Sequence, residues 1–218
     1  MKFFIVLFLA TIILSSFFQL SSYHKPSENI SKSISEINRK FLKVGTDSFL
    51  ILDSLTVYKS HNELNKLFNG QVIKEYNEGD GFRSPVSILF GDDSTKKVYF
   101  HWKNDDFTGL AGVQIKIDYS MENPPKKSAW KCANGLTLGT PLEQLVKYNN
   151  KPITFYGFEW DNAGLVIDYN GGKLTSRNIG IELGYTNDDE NILGEIKLNS
   201  SMAAVKNAKC FIQSITIW

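Results

Sequence analysis

Three histidines and two cysteines are the side chains of this chain best suited to act as bases, nucleophiles or metal ligands. They do not fall into a working pattern. His24 borders the apolar N-terminus, His61 falls in the expected first turn of a helix, and His101 falls in a strand-like run. No His-x-x-x-His or Cys-x-x-Cys spacing places two ligands on one face. There is no Gly-x-Ser-x-Gly turn, phosphate loop or dinucleotide fingerprint. Cys132 with His101 is the nearest approach to a nucleophile and base, and one thiol and one imidazole do not make a mechanism. The acidic clusters at Asp92-Asp93, Asp105-Asp106 and Asp188-Asp189-Glu190 lack the alternating spacing that cradles calcium, and read as solvated turns. The expectation is a protein that is not an enzyme, with no cofactor and no metal.

Contact is the other chemistry available. Phe155, Tyr156, Phe158 and Trp160 crowd one strand and its turn. Strand alternation puts Phe155 with Ile153 toward the core and sends Tyr156 and Phe158 the other way. Tyr156, Phe158 and Trp160 are therefore the candidate partner contact, because exposed aromatics anchor protein interfaces. The alternative is packing, with Trp160 folded over the sheet end. Cys132 and Cys210 are a candidate disulfide: it would close a loop of about 80 residues, worth about 4 kcal/mol in the chain-entropy model. Two buried thiols are equally open, since pairing is not readable from sequence.

The elements that must position these residues follow from periodicity. Thr140 is a helix N-cap candidate, Pro141 suits the first helical position, and Glu143 completes a capping box. Leu142, Leu145 and Val146 form an apolar stripe, and Lys151-Pro152 stops the helix. Two strands follow, over 153–158 and 164–169. Earlier in the chain, Ser60 and Glu63 make a second capping box ahead of Leu64, Leu67 and Phe68, and Asn69-Gly70 ends that helix. Strands are expected at 71–76, 85–90, 97–102 and 113–119, the last with Val113, Ile115 and Ile117 on one face and Gln114, Lys116 and Asp118 on the other. Residues 120–128, with Asn123-Pro124-Pro125, open the best linker candidate. Further strands are expected at 179–185 and 211–218, with a short helix at 200–207. Leu55-Thr56, Leu64, Lys66 and Asn69 match Leu136-Thr137, Leu145, Lys147 and Asn150 at one constant spacing.

The fold expectation is α+β: two tandem units, each a short helix followed by about four antiparallel strands, with an extra N-terminal amphipathic helix over 27–42 carrying Ile30, Ile34, Ile37 and Phe41. The units span 23–119 and 132–218, joined by a linker at 120–131. A length of 218 residues accommodates this. The net charge of +1 argues against nucleic acid, which demands a basic excess to neutralise phosphates.

Residues 1–22 read as a signal peptide: Lys2, then an apolar run through Leu14, then Ser15, Ser16, Ser21 and Ser22. Export to the periplasm or the medium follows. The alternative is an uncleaved anchor over residues 3–20, which would just reach the ~18 apolar residues of a membrane span. A membrane partner is expected only in that case.

A resemblance adds to this reading. Asn150, Lys151, Pro152 and Ile153, then Tyr156-Gly157-Phe158, Trp160-Asp161, Gly164 and Gly171-Gly172-Lys173-Leu174 resemble a motif of uncharacterised secreted bacterial proteins. That motif runs Asn-Gly-Lys-Pro-Phe, Gly-Phe-x-Trp-Asp-Tyr-x-Gly and Gly-Gly-x-Leu. Here Asn150 stands for its Gly, Ile153 for its Phe and Asn162 for its Tyr, over about 40 residues. More distantly, the order of elements is similar to the outer-membrane assembly lipoprotein BamE and to the tandem-unit β-lactamase inhibitor proteins, although no lipid-accepting Cys follows the leader. Those resemblances imply protein binding on a sheet face, by analogy of fold. The functional expectation is an exported, non-enzymatic protein-binding module, an inhibitor or envelope factor. The alternatives are a membrane-anchored structural envelope protein and a hydrolase with an unrecognised site.

Overall fold

A computed structural model describes residues 50–79 and 81–218 of the chain. The expected signal peptide at 1–22, the anchor at 3–20 and the amphipathic helix at 27–42 lie outside those residues. The described chain opens with β1 (Leu50–Ile51), a 3-10 turn (Leu52–Val57) and helix α1 (His61–Phe68). Four strands follow: β2 (Val72–Gly79), β3 (Phe82–Leu89), β4 (Val98–Asn104) and β5 (Thr108–Lys116). Next come β6 (Trp130–Lys131), α2 (Leu142–Asn149), β7 (Thr154–Tyr156), β8 (Val166–Asp168) and β9 (Ile179–Gly184). The chain ends with β10 (Lys197–Asn199), α3 (Ala203–Asn207) and β11 (Phe211–Ile217). Among the described residues, no helix is long and apolar enough to cross a membrane.

Helix α1 forms as its sequence dictates. Ser60 is extended and its hydroxyl accepts from the Glu63 N–H at 3.3 Å. The Glu63 carboxylate reaches back to the Lys59 N–H at 2.7 Å, one residue earlier than the reciprocal bond of a capping box. Asn69 closes the helix in the left-handed region, at φ 47°. Helix α2 departs from expectation at its start. Pro141, not Thr140, is the N-cap, and no side chain caps it. The reason is tertiary. Gly139 N donates to Ile212 O at 2.8 Å and Ile212 N to Thr140 O at 2.9 Å, so this segment pairs with β11. The first helical N–H, of Leu142, is then met by Cys210 O at 2.9 Å. Strand backbone has replaced the side-chain cap.

The two helices still correspond at the one constant spacing that the sequence match shows. His61 and Phe68 bound α1 as Leu142 and Asn149 bound α2. Leu64 and Leu145 occupy the same helical position and are both fully buried. Asn69 and Asn150 are both left-handed caps.

The α+β expectation holds, with few helices and mostly antiparallel pairing. The halves share one sheet, however, rather than each closing its own. A six-stranded antiparallel sheet runs β2-β3-β4-β5-β11-β9, with β5 and β11 paired from Lys116↔Ser214 to Val113↔Ile217. Residues on both sides of 120–131 thus build one hydrogen-bonded surface within one compact unit. The end of that connecting segment is pinned. Trp130 Nε1 donates to Lys96 O at 2.8 Å, Ala129 N donates to Thr95 O at 2.8 Å, and β6 pairs in parallel with β1. The described residues also form a smaller antiparallel sheet, β10-β7-β8. Val98, Phe100, Val113, Ile115, Ile181 and Ile215 make the inner face of the large sheet and are fully buried.

Candidate functional site

The opposite face of the large sheet is polar and aromatic across β4, β5, β11 and β9, with Val86 and Ile88 of β3 buried on it beside His101 and Tyr99. Alternation along β4 sends Val98 and Phe100 inward and Tyr99 and His101 outward. On β5 the outward residues are Gln114 and Lys116, on β11 Ser214 and Thr216, and on β9 Glu182. Register lines them up: Tyr99 opposes Gln114, Gln114 opposes Thr216, Lys116 opposes Ser214, and Ser214 opposes Glu182. Two cavities of about 550 and 340 Å³ open on this face, and Tyr99, Lys116 and Glu182 border both.

A row of hydrogen bonds crosses four strands. His101 Nε2 lies 3.0 Å from Gln114 Oε1, and the Gln114 amide donates to Ser214 Oγ at 3.0 Å. An amide oxygen only accepts, so His101 carries its hydrogen on Nε2. The Ser214 hydroxyl in turn donates to the Glu182 carboxylate, its cross-strand neighbour. Burial pushes the Glu182 carboxyl up from its ordinary value, and the Lys116 ammonium and this hydroxyl only partly offset it. Burial first, with Lys116 assisting, pushes the His101 imidazole down, against the opposing Gln114 bond. The Lys116 ammonium sits 4.7 Å over the Tyr99 ring.

Chemically this row holds shape better than it moves protons. Ser214 is 2% exposed, with its lone pair and its proton both engaged. A whole amide separates it from His101, and an amide is no proton relay. Around the row, Tyr119 and Trp218 are more than half exposed. The Tyr119 hydroxyl donates to Gln213 Oε1 at 3.1 Å, and the Trp218 ring lies against Gly180. Both cavities are lined by residues of the sheet's own strands and of 117–119 just after β5. Sequence reasoning placed Gln114 and Lys116 on a wet face but did not single out Tyr99, Ser214 or Glu182. The signal was the alternation of β4, β9 and β11; what was missing was their order in the sheet.

The side chains singled out from sequence land as follows. Cys132 and Cys210 are free, buried thiols, so the candidate disulfide is not formed. Burial pushes them up to about 12 and about 11, far from a reactive thiolate. The Cys210 thiol instead points at Val205 O, 3.7 Å away. His61 lies 2.9 Å from Ser87 Oγ, which looks like a base and nucleophile. Ser87 is sealed in the core, however, and its oxygen also accepts the Trp102 indole N–H at 2.8 Å. The three side chains satisfy one another's buried polar atoms.

Of the aromatic trio, Phe158 does not face outward. Strand β7 ends at Tyr156, and Phe158 makes an isolated bridge to Leu193, with Glu159 at φ 62°. Alternation therefore breaks, and Phe158 is buried, 6.0 Å from the Phe155 ring and 4.7 Å from Tyr185. Tyr156 and Trp160 remain half-buried, edge to face at 5.1 Å, with the indole N–H on Gly157 O. Asp93, Asp106 and Asp189 accept hydrogen bonds within their own turns. Among the described residues, no three His, Cys, Asp or Glu side chains converge as metal ligands.

No family model matches the chain, and no curated protein matches it. Among solved structures, the uncharacterized protein yfeY from Escherichia coli is similar at a TM-score of 0.38 and 12% identity, over 67% of this chain and 80% of that one. That likeness is too slight to carry an argument.

Proposed function

We propose that this chain is an exported, non-enzymatic protein-binding module that offers the outer face of its six-stranded sheet to a polypeptide partner. One observation carries the reading: a pre-ordered polar row, rimmed by exposed Tyr119 and Trp218, borders two cavities open on the sheet's outer face. Such a surface loses little side-chain entropy on binding, because its polar groups are already fixed. Lys97 and Asp118 are paired at 2.8 Å, which leaves Glu75 and Glu182 against Lys116. The fitting partner therefore brings a basic side chain to the cavity. Export rests on the leader-like residues 1–22.

The test is co-purification from the exported fraction. Thr216→Arg fills the trough without touching the core, and Lys147→Glu is the distant control. The reading expects a partner retained by wild type and by Lys147→Glu, and lost with Thr216→Arg at unchanged melting temperature. A partner that survives Thr216→Arg would contradict it, as would catalytic turnover assigned to His101 or Ser214.

A further inference from the structure

A third cavity, of about 610 Å³, lies away from the large sheet's outer face, between α2, α3 and the start of β11. Its volume is that of small-molecule sites, roughly 300–1,000 Å³. The floor is apolar: Leu142 and Val146 from α2 and Phe211, backed by the fully buried Val205 of α3. The rim carries three ammonium groups, of Lys126, Lys206 and Lys209, against one carboxylate, Glu143. The Lys126 ammonium sits 4.5 Å over the Phe211 ring, so a cation is held directly on the floor's edge. Among the described residues, none of the three lysines has a carboxylate within salt-bridge distance. An apolar slot ringed by unneutralised cations complements a molecule with an apolar tail and an anionic head.

We propose that this cavity binds a single-chain amphiphile with a carboxylate head, of the fatty-acid type, with the alkyl chain on Leu142, Val146 and Phe211 and the head among the lysines. A monoanion fits better than a phosphate dianion for two reasons. Glu143 borders the same cavity, and the first backbone N–H of α2, which a phosphate could use, already donates to Cys210 O. This site is separate from the proposed protein-contact face and stands or falls independently of it.

Calorimetric titration of the full exported chain with decanoate, decanol, decyl phosphate and acetate tests the proposal. Saturable one-to-one binding of decanoate is expected, with decanol and acetate at least about tenfold weaker, since each lacks the head or the tail. Lys206→Gln with Lys209→Gln should weaken decanoate about tenfold, as expected for two partly screened ion pairs. Val146→Trp should abolish binding by filling the slot, at unchanged melting temperature. No saturable decanoate binding to the wild-type chain would overturn the proposal. So would equal affinity for decanol, or decanoate binding indifferent to the lysine pair. Tighter binding of decyl phosphate would overturn the carboxylate assignment.

Discussion

The side chains that matter most to this fold are polar ones held where water does not reach. Asn149 is the clearest case. It is fully buried, its amide donates to Lys151 O at 3.0 Å and Tyr169 O at 2.9 Å, and its Oδ1 accepts from Leu174 N at 3.1 Å. One side chain thus ties the end of α2 to two later turns. Asn149→Ala strands those backbone groups, each costing about 1–3 kcal/mol if left unpaired. A loss of at least about 3 kcal/mol in chemical denaturation is expected, and a loss under about 1 kcal/mol would refute the role. Glu182 and His101 set opposite pH dependences. Glu182 titrates above its ordinary 4.5, so its favourable contribution is present in full below 4.5 and is lost as pH rises through the folded value. His101 titrates below 6.5, so its contribution is present above 6.5 and is lost as pH falls through the folded value. Glu182→Gln keeps an acceptor for Ser214 and removes the charge. Thermal melts should show it stabilising at pH 8 and neutral at pH 4; the same shift at both would show that ionisation is not the cause.

At the scale of elements, the repeated helix is the part most legible in the sequence, because capping residues and an apolar stripe are local signals. The strict letter match, Leu64 with Leu145 and Asn69 with Asn150, gives the true helical correspondence. The capping boxes, offset by one residue, do not, because β11 supplies the backbone acceptor that starts α2. Leu64→Ala and Leu145→Ala should each cost about 2–5 kcal/mol, the range for an emptied core leucine. Equal losses are expected if the two helices play equivalent parts, and urea midpoints measure them. The aromatic strand was misread for a related reason. Alternation fixes faces only while a strand lasts, and β7 lasts three residues. The glycines of the same stretch have a physical cause. Gly164 is at φ 70° and a Cβ there would collide with Leu183 O, and Asn150, where the resembling motif has glycine, is itself left-handed at φ 61°. The extension of β4 to Asn104 and of β5 back to Thr108, beyond the strands expected at 97–102 and 113–119, was hidden because their turn is built on Phe107 at φ 62°, an unusual residue for that conformation.

For the whole molecule, which strands sit beside one another was beyond reach of local patterning. The pairing of β5 with β11 brings together residues about a hundred positions apart, and no periodicity encodes it. Its consequence is that the halves are interdependent. Fragments 50–119 and 132–218 each expose a sheet face and an unpaired edge at that seam, so neither should show a cooperative melt alone, while mixing them should restore one. Independent melting of either fragment would mean that the shared sheet is not what holds the molecule together. The seam also builds the outer face, since Gln114 and Ser214 meet across it. The most direct test of that face is photo-cross-linking in intact cells, with an ultraviolet-activated residue at Tyr119, 58% exposed beside the polar row, or at Ile167, 38% exposed on the smaller sheet. A single protein adduct from position 119, absent from position 167 and suppressed by Thr216→Arg, is the predicted result. Adducts of equal strength from both positions, or none from 119, would contradict the account.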